Sequence, residues 1–252
     1  MVLEWFEDID TVLFCDFLQR WPTVQQARRA RKASLTTFFH EHNVRREHVV
    51  ERRLTAIKSA VPLTLDDAVI VPNRLHALML VDQLRVLLDA IKHYDAEIER
   101  IAAEHTDYVL FKNLPGAGPH LAPRLLVAFG EQRDRFKNAA ELQQYAGIAP
   151  VTERSGKKHW VHWRWQCSTF LRQTFVEWAA QTVNKSFWAG EFYRRQRAKG
   201  SSHQAALRAL AFKWIRILYR CWQTKRPYDE VTYLKALERR GSPLLKPVPA
   251  AS

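Results

Sequence analysis

A chain of 252 residues is long enough for one or two domains with a real core, and 47% hydrophobic with 12% aromatic content excludes a disordered polymer. No apolar run approaches the ~18 residues of a membrane span, and Met1 is followed by no charged-then-apolar leader. Three widely separated cysteines, Cys15, Cys167 and Cys221, fit a reducing compartment better than a disulfide framework, so the chain reads as cytoplasmic.

Residues 1–62 read as a helical, irregular segment. Thr11–Arg20 is an amphipathic run stopped by Trp21-Pro22. Thr23 is placed to cap a helix over Val24–Lys32, and Ser34 one over Leu35–His42. Arg28-Arg29-Ala30-Arg31-Lys32 is read first as a solvated helix face and second as a phosphate contact. Leu3, Trp5, Phe6, Ile9, Val12, Leu13, Phe14 and Phe17 are too apolar to stand uncovered.

Residues 63–107 read as a spacer. Leu80, Leu84, Leu87, Ile91, Tyr94, Ile98 and Ile101 repeat at spacings of 4 and 3, an a/d heptad seam, with Pro72 expected at the helix start. An amphipathic helix packed on its own domain would show the same pattern. A coiled coil through 73–104 makes the segment an oligomerisation arm.

Residues 108–235 read as a further helical domain. Within 110–128, Leu114-Pro-Gly-Ala-Gly-Pro-His has the form of a helix-hairpin-helix. There Gly116 and Gly118 permit positive φ and close backbone approach, and the following helix offers unpaired N–H groups to phosphate. A plain αα-hairpin turn is the alternative. Asn138 and Glu141 form a capping box for Ala139–Tyr145, which Gly147 stops.

Ala146–Gly156 then reads as a Gly- and Pro-punctuated loop ending in Ser155-Gly156. Lys157–Trp165 follows, its Trp160, His162 and Arg164 alternating with Val161, Trp163 and Trp165 as in a short extended piece or hairpin arm. Cationic and flat side chains interleaved in this way pair with phosphates and stack on bases. Helices are expected over Ser168–Val183, Phe187–Lys199 and Ser202–Gln223, the last capped by Ser201. On it, Leu207, Leu210, Ala211, Trp214, Ile215, Leu218 and Trp222 form a core stripe with Arg208, Lys213, Arg216 and Arg220 on the other side. Residues 236–252 are expected to be a loose tail.

The +13 charge is local. Residues 151–226 carry 16 Lys and Arg against 3 Asp and Glu, whereas residues 1–110 carry 14 against 17. A one-sign segment this rich in aromatics calls for a polyanion, and nucleic acid fits better than a membrane surface. Ser-Gly is also ordinary turn chemistry. A nucleophilic Ser155 needs a base, metal or strong field, and its neighbours Glu153, Lys157, His159 and His162 show no Ser/His/Asp order. His159, His162 and Cys167 match no zinc spacing, so no metal site is assigned.

Leu114-Pro-Gly-Ala-Gly-Pro, Tyr145-Ala-Gly-Ile-Ala-Pro, Glu153-Arg-Ser-Gly, Leu171-Arg-Gln and Ala209–Tyr219 together resemble the C-terminal region of the insertion sequence 110/116/902 transposases. The resemblance runs from about Leu110 to Tyr233, with the heptad helix similar to the family's spacer. It implies a mainly α fold: a long heptad helix, then a helical transposase domain with a helix-hairpin-helix and at most a short β-hairpin. It implies a DNA recombinase whose C-terminal domain supplies a serine nucleophile, which maps onto Ser155. The nucleic-acid contacts are then Gly116, Gly118, His120, Arg154, Lys157, Lys158, Trp160, His162, Arg164 and Arg172. Partners implied are transposon-end and target DNA, a structured guide RNA, and a second copy of the chain. The family's Mg²⁺ sits in a RuvC-like domain with an Asp-Glu-Asp-Asp set, expected before residue 1, with 1–62 as its last helices. Asp8, Asp10 and Asp16 lie too close together to replace that set, so this chain alone is expected to be inactive. Two alternatives stand beside this reading: a non-catalytic nucleic-acid-binding remnant, and a helical oligomerisation protein.

Overall fold

The computed structural model describes residues 2–156, 158–162 and 164–245. Met1, Lys157, Trp163 and the tail after Leu245 lie outside the described residues, as do the side chains of Val2, Leu3 and His159. The described chain is mainly α with one two-stranded antiparallel sheet. It divides into two compact units, Met1–Ala96 and Glu97–Ser252.

The first unit contains α1 (Val2–Trp5), α2 (Val12–Arg20), α3 (Val24–Arg29), α4 (Lys32–Glu41), α5 (Glu47–Ser59) and most of α6 (Asp67–Glu104). Thr23 caps as expected and Thr11 caps α2 as well, each hydroxyl accepting a backbone N–H at 3.2 Å. Ser34 does not cap. Ala30 and Arg31 are extended, the Leu35 N–H bonds back to the Arg31 carbonyl, and α4 begins at Lys32 with Ser34 already in its first turn. α3 likewise stops at Arg29, three residues short of Lys32.

Of the apolar N-terminal stretch, Trp5, Phe6, Phe14 and Phe17 are buried within their own unit, whereas Ile9 and Val12 are exposed and the Leu3 side chain lies outside the described residues. Phe6 packs edge-to-face with Phe14 and with Phe17, and Phe17 meets Phe38 and Phe39 of α4. The buried Arg53 of α5 lays its guanidinium over Phe6 at 5.4 Å and Phe39 at 5.5 Å. That contact offsets part of the cost of burying a cation. At the edge of this core, Asp16 accepts from His42 Nε2 at 2.7 Å and from Arg85 of α6.

α6 starts earlier than expected. The Asp66 carboxylate takes the Ala68 N–H at 2.8 Å and opens the helix at Asp67, which leaves Pro72 inside it. Proline there removes one i→i−4 bond, and it stands near the N-terminus on an exposed face. Of the heptad residues, Leu84 packs on the aromatic core, while Leu80, Leu87, Ile91, Tyr94, Ile98 and Ile101 are all exposed.

The second unit holds α7 (Tyr108–Lys112), α8 (Gly118–Phe129), α9 (Ala139–Tyr145), strands β1 (Val151–Ser155) and β2 (Lys158–His162), α10 (Thr169–Thr182), α11 (Phe187–Ala198), α12 (His203–Thr224) and α13 (Glu230–Arg239). α12 is its axis. The expected stripe from Leu207 to Trp222 is fully buried, and α9, α10 and α11 pack on it.

Four buried tryptophans build the core around that helix, and each finds a partner for its indole N–H. Trp178 donates to the Pro115 carbonyl at 3.0 Å, Trp188 to Tyr228 Oη at 2.8 Å, Trp214 to Thr182 Oγ1 at 2.9 Å and Trp222 to the Gly130 carbonyl at 2.9 Å. The cap of α12 is Ser202, whose hydroxyl takes the Ala205 N–H at 3.2 Å. Ser201 instead belongs to the exit of α11, its N–H bonded to the Gln196 carbonyl beyond the positive-φ Gly200. The stretch read as a loose tail from 236 stays helical to Arg239, and Leu237 and Leu244 are buried in the core.

Candidate nucleic-acid interface

The 146–156 stretch is a loop only as far as Pro150. The Asn138 side chain caps α9, and Glu141 reaches back to the Lys137 N–H at 2.8 Å, one residue short of a standard capping box. Gly147, at φ 68°, turns the chain out of the helix, and the Ile148 and Ala149 N–H groups both bond the Gln143 carbonyl. From Val151 to Ser155 the backbone is a strand, paired antiparallel with Lys158–His162. Val151 and Thr152 are β-branched, and the partner that makes the segment a strand follows directly.

Register fixes the faces. Val151↔His162, Glu153↔Trp160 and Ser155↔Lys158 are opposed, so these six residues share one face of the hairpin. Thr152, Arg154 and Val161 lie on the other. Gly156, at φ 58°, supplies the positive φ that a two-residue hairpin turn requires at its first position. The hairpin is exposed on both sides, Ser155 included.

On the serine's face, the Glu153 carboxylate accepts from Trp160 Nε1 at 3.1 Å and pairs with His162 Nε2 at 3.2 Å. Among the described residues no side chain hydrogen-bonds the Ser155 hydroxyl. The site therefore presents an alcohol, a lysine and an indole to solvent together, with the adjacent carboxylate already engaged. A serine in that state is accessible and not yet activated.

The other expected contacts divide into two groups. Arg164 and Arg172 stand at the hairpin's base, where Arg172 Nη1 reaches the Arg164 carbonyl at 3.4 Å and Cys167 Sγ at 3.5 Å. Gly116, Gly118 and His120 belong to the α7–α8 turn and the start of α8, elements separate from the hairpin. Both glycines have positive φ, 73° and 58°. Their surroundings differ. Gly118 is exposed with open space beside it, whereas a Cβ on Gly116 would stand 2.7 Å from Gln181 Cβ of α10. Close backbone approach at Gly116 is thus toward a helix of the same domain.

Among the described residues no three His, Cys, Asp or Glu side chains come together to hold a metal ion. Asp16 is bonded to His42 and Arg85, and His162 to Glu153. These residues do not fit a two-metal phosphoryl-transfer site. Sequence reasoning did not find a trough between α12 and α13, where Arg226, Arg239 and Arg240 join cations of α12. The only local signal for it is the one-turn spacing of Arg216 and Arg220. None of the described helices is long and apolar enough to cross a membrane.

Residues 108–194 match the family model of the transposase IS116/IS110/IS902 family. A protein named as a mini-circle transposase for IS117, from Streptomyces coelicolor, is 36% identical over 149 residues, 59% of this chain and 34% of that one. The insertion element IS116 44.8 kDa protein of Streptomyces clavuligerus is 27% identical over 214 residues, 83% of this chain and 52% of its own length. A pilin gene-inverting protein of Moraxella bovis is 27% identical over 129 residues, 48% and 38% of the two chains. The chain spans between a third and about half of the length of these relatives.

Proposed function

From the match of residues 108–194 to the IS116/IS110/IS902 transposase family model, we propose that this chain is the DNA-binding, strand-joining part of a transposase, with Ser155 its nucleophile. The observation that carries the reading is the Ser155 hydroxyl, exposed at the end of β1 on the same hairpin face as Lys158, Trp160 and His162. Lysine pairs with phosphate and an exposed indole stacks on a base, so a strand lying along this face brings a phosphodiester to the alcohol. Ser155 Oγ attacks phosphorus, the displaced sugar oxygen leaves as a hydroxyl, and a phosphoseryl bond joins protein to DNA. Reversal by another strand's hydroxyl rejoins the DNA.

Activation of the serine comes from outside the described residues, by an acidic metal-binding domain on this or another polypeptide. The exposed α6 seam, Leu80 to Ile101, supports pairing of two copies, which would bring such parts together. The helix-hairpin-helix reading of 110–128 is kept for Gly118, which leaves its backbone open to a phosphate. A structured RNA is a second nucleic-acid ligand for the same basic surface.

The test is covalent capture. Mixed with end-labelled duplex DNA and the acidic domain of a family member, the chain forms a labelled adduct that survives denaturing electrophoresis. Ser155→Ala abolishes it and leaves DNA affinity within about twofold of the original. An adduct that persists in Ser155→Ala refutes the nucleophile assignment. The unactivated state of the Ser155 hydroxyl favours a second reading, non-catalytic nucleic-acid binding. That reading is established if DNA binds but no adduct forms in either variant.

A further inference from the structure

We infer that the groove between α12 and α13 is a second phosphate-binding track, which seats the sugar-phosphate backbone of a nucleic-acid strand. None of its lining residues belongs to the hairpin, and all lie beyond residues 108–194. The inference rests on the nucleic-acid reading above and assigns to it a surface that the family match does not cover.

The groove is a trough of ≈ 850 Å³. Six cations line it: Lys213, Arg216 and Arg220 from α12, Arg226 from the connecting turn, Arg239 from the end of α13 and Arg240 just beyond it. None of the six forms an ion pair with a carboxylate among the described residues. Of the acids close to them in sequence, Asp229, which also lines the trough, and Glu230 are engaged by other groups. Asp229 caps α13 through the Thr232 N–H at 2.6 Å. Glu230 accepts from the Ser186 hydroxyl, the Phe187 N–H and the Tyr228 hydroxyl. Other arginines of the same unit behave differently, with Arg124, Arg133 and Arg194 each paired to a carboxylate. With six cations and one carboxylate, Asp229, on its lining, the trough holds a concentrated excess of positive charge.

Lys213 sharpens the point. It is half-buried, its ammonium over Trp188 at 5.7 Å and Phe192 at 5.5 Å. Burial, with the Arg216 charge adding to it, pulls its pKa below the ordinary lysine range. A cation held at that cost beside other cations is relieved by an anion delivered from solvent.

Size and spacing select the anion. Arg216 and Arg220 are one turn apart, about 6 Å of helix rise, comparable to the step between successive phosphates of a strand. Arg239 and Arg240 face them from the second wall. A trough of this volume is far larger than one phosphate group, so a polymer with repeated charges fits it better than a free ion.

The experiment measures binding of the full chain to a duplex of arbitrary sequence by fluorescence anisotropy over a salt series. Arg216→Gln/Arg220→Gln/Arg239→Gln should weaken binding at least tenfold at low salt. It should also flatten the slope of log affinity against log salt by about 2–3, roughly 0.9 for each phosphate no longer neutralised. The three side chains are exposed, so the thermal midpoint should not move. If the triple variant fails to fold, Arg239→Gln and Arg240→Gln, made singly, should each lower the slope by about 1. Unchanged slope and affinity, with binding lost in Lys158→Gln/Trp160→Ala, would overturn the groove and spare the nucleic-acid reading. No binding by the unaltered chain even at low salt would remove both. A poly-glutamate of matched charge that binds tighter than the duplex, and loses this in the groove variant, would make the occupant an acidic polypeptide and reject the proposal.

Discussion

Gly147 lies against Cys167 so closely that a Cβ built on the glycine would stand 2.2 Å from the cysteine Sγ and 2.7 Å from its Cβ. One residue leaves α9 before the hairpin and the other precedes α10 after it, so the contact ties the two feet of the hairpin together. Gly147→Ala is expected to destabilise the chain by about 2–4 kcal/mol, summing a positive-φ cost and an overpacking cost. In Gly147→Ala/Cys167→Gly only the φ cost of about 1–2 kcal/mol should remain. Denaturant melts of the two variants check this, and equal losses in both would show that the contact is not the cause.

Helical elements were legible where the signal was local. The buried stripe of α12 follows from its 3.6-residue period, and Thr23 and Asn138 are capping residues by type and position. β1 was not legible. Gly147, Pro150 and Gly156 punctuate it like a loop, and its extended form depends on pairing with β2. The start of α6 was misplaced because proline is the stronger sequence mark, although Asp66 supplies the actual cap. The basic trough was hidden for a different reason. Arg239 joins Arg220 only when α13 folds back on α12, which no periodicity records.

Trp214 stands between Trp178 and Trp188, with ring centroids 4.8 and 4.5 Å away. Trp214→Phe removes ring area and the N–H bonded to Thr182 from a fully buried position. The cost should be about 2–4 kcal/mol by urea unfolding. A cost below about 1 kcal/mol would mean that the site collapses around the smaller ring.

Acid should act on the first unit through Asp16. Desolvation raises its pKa, but hydrogen bonds from His42 and Arg85 outweigh this and leave it below the ordinary aspartate range. A carboxyl depressed on folding contributes stability that is complete above the unfolded value of 3.8 and is lost as pH falls through the lower folded one. Unfolding followed by Trp5 and Trp21 fluorescence should therefore show stability declining below about pH 4. Asp16→Asn should flatten that decline. An unchanged profile in the variant would assign the acid response to another group.

The exposed seam of α6 predicts self-association under the proposed reading. Leu87→Lys/Ile91→Lys alters two solvent-exposed positions and should leave thermal stability unchanged. In sedimentation equilibrium the unaltered chain should exceed the 29.5 kDa of one copy, and the variant should not. A single copy in both cases would remove the pairing role of the helix.

The Gln143 side-chain amide donates from α9 to the Phe212 carbonyl of α12 at 2.7 Å, while the Gln143 backbone carbonyl accepts both N–H groups that lead into the hairpin. The hairpin's arms are five residues each, so it projects roughly 17 Å from that anchorage. Lever mechanics then set the tolerance. If Ser155 is the nucleophile proposed above, a tilt of about ten degrees at the pivot sweeps its end of the hairpin through about 3 Å, the whole margin between contact and miss for an in-line attack. Aim is thus governed by an amide in the interior that touches no substrate, and loosening it would spoil accuracy while leaving the tip itself chemically intact.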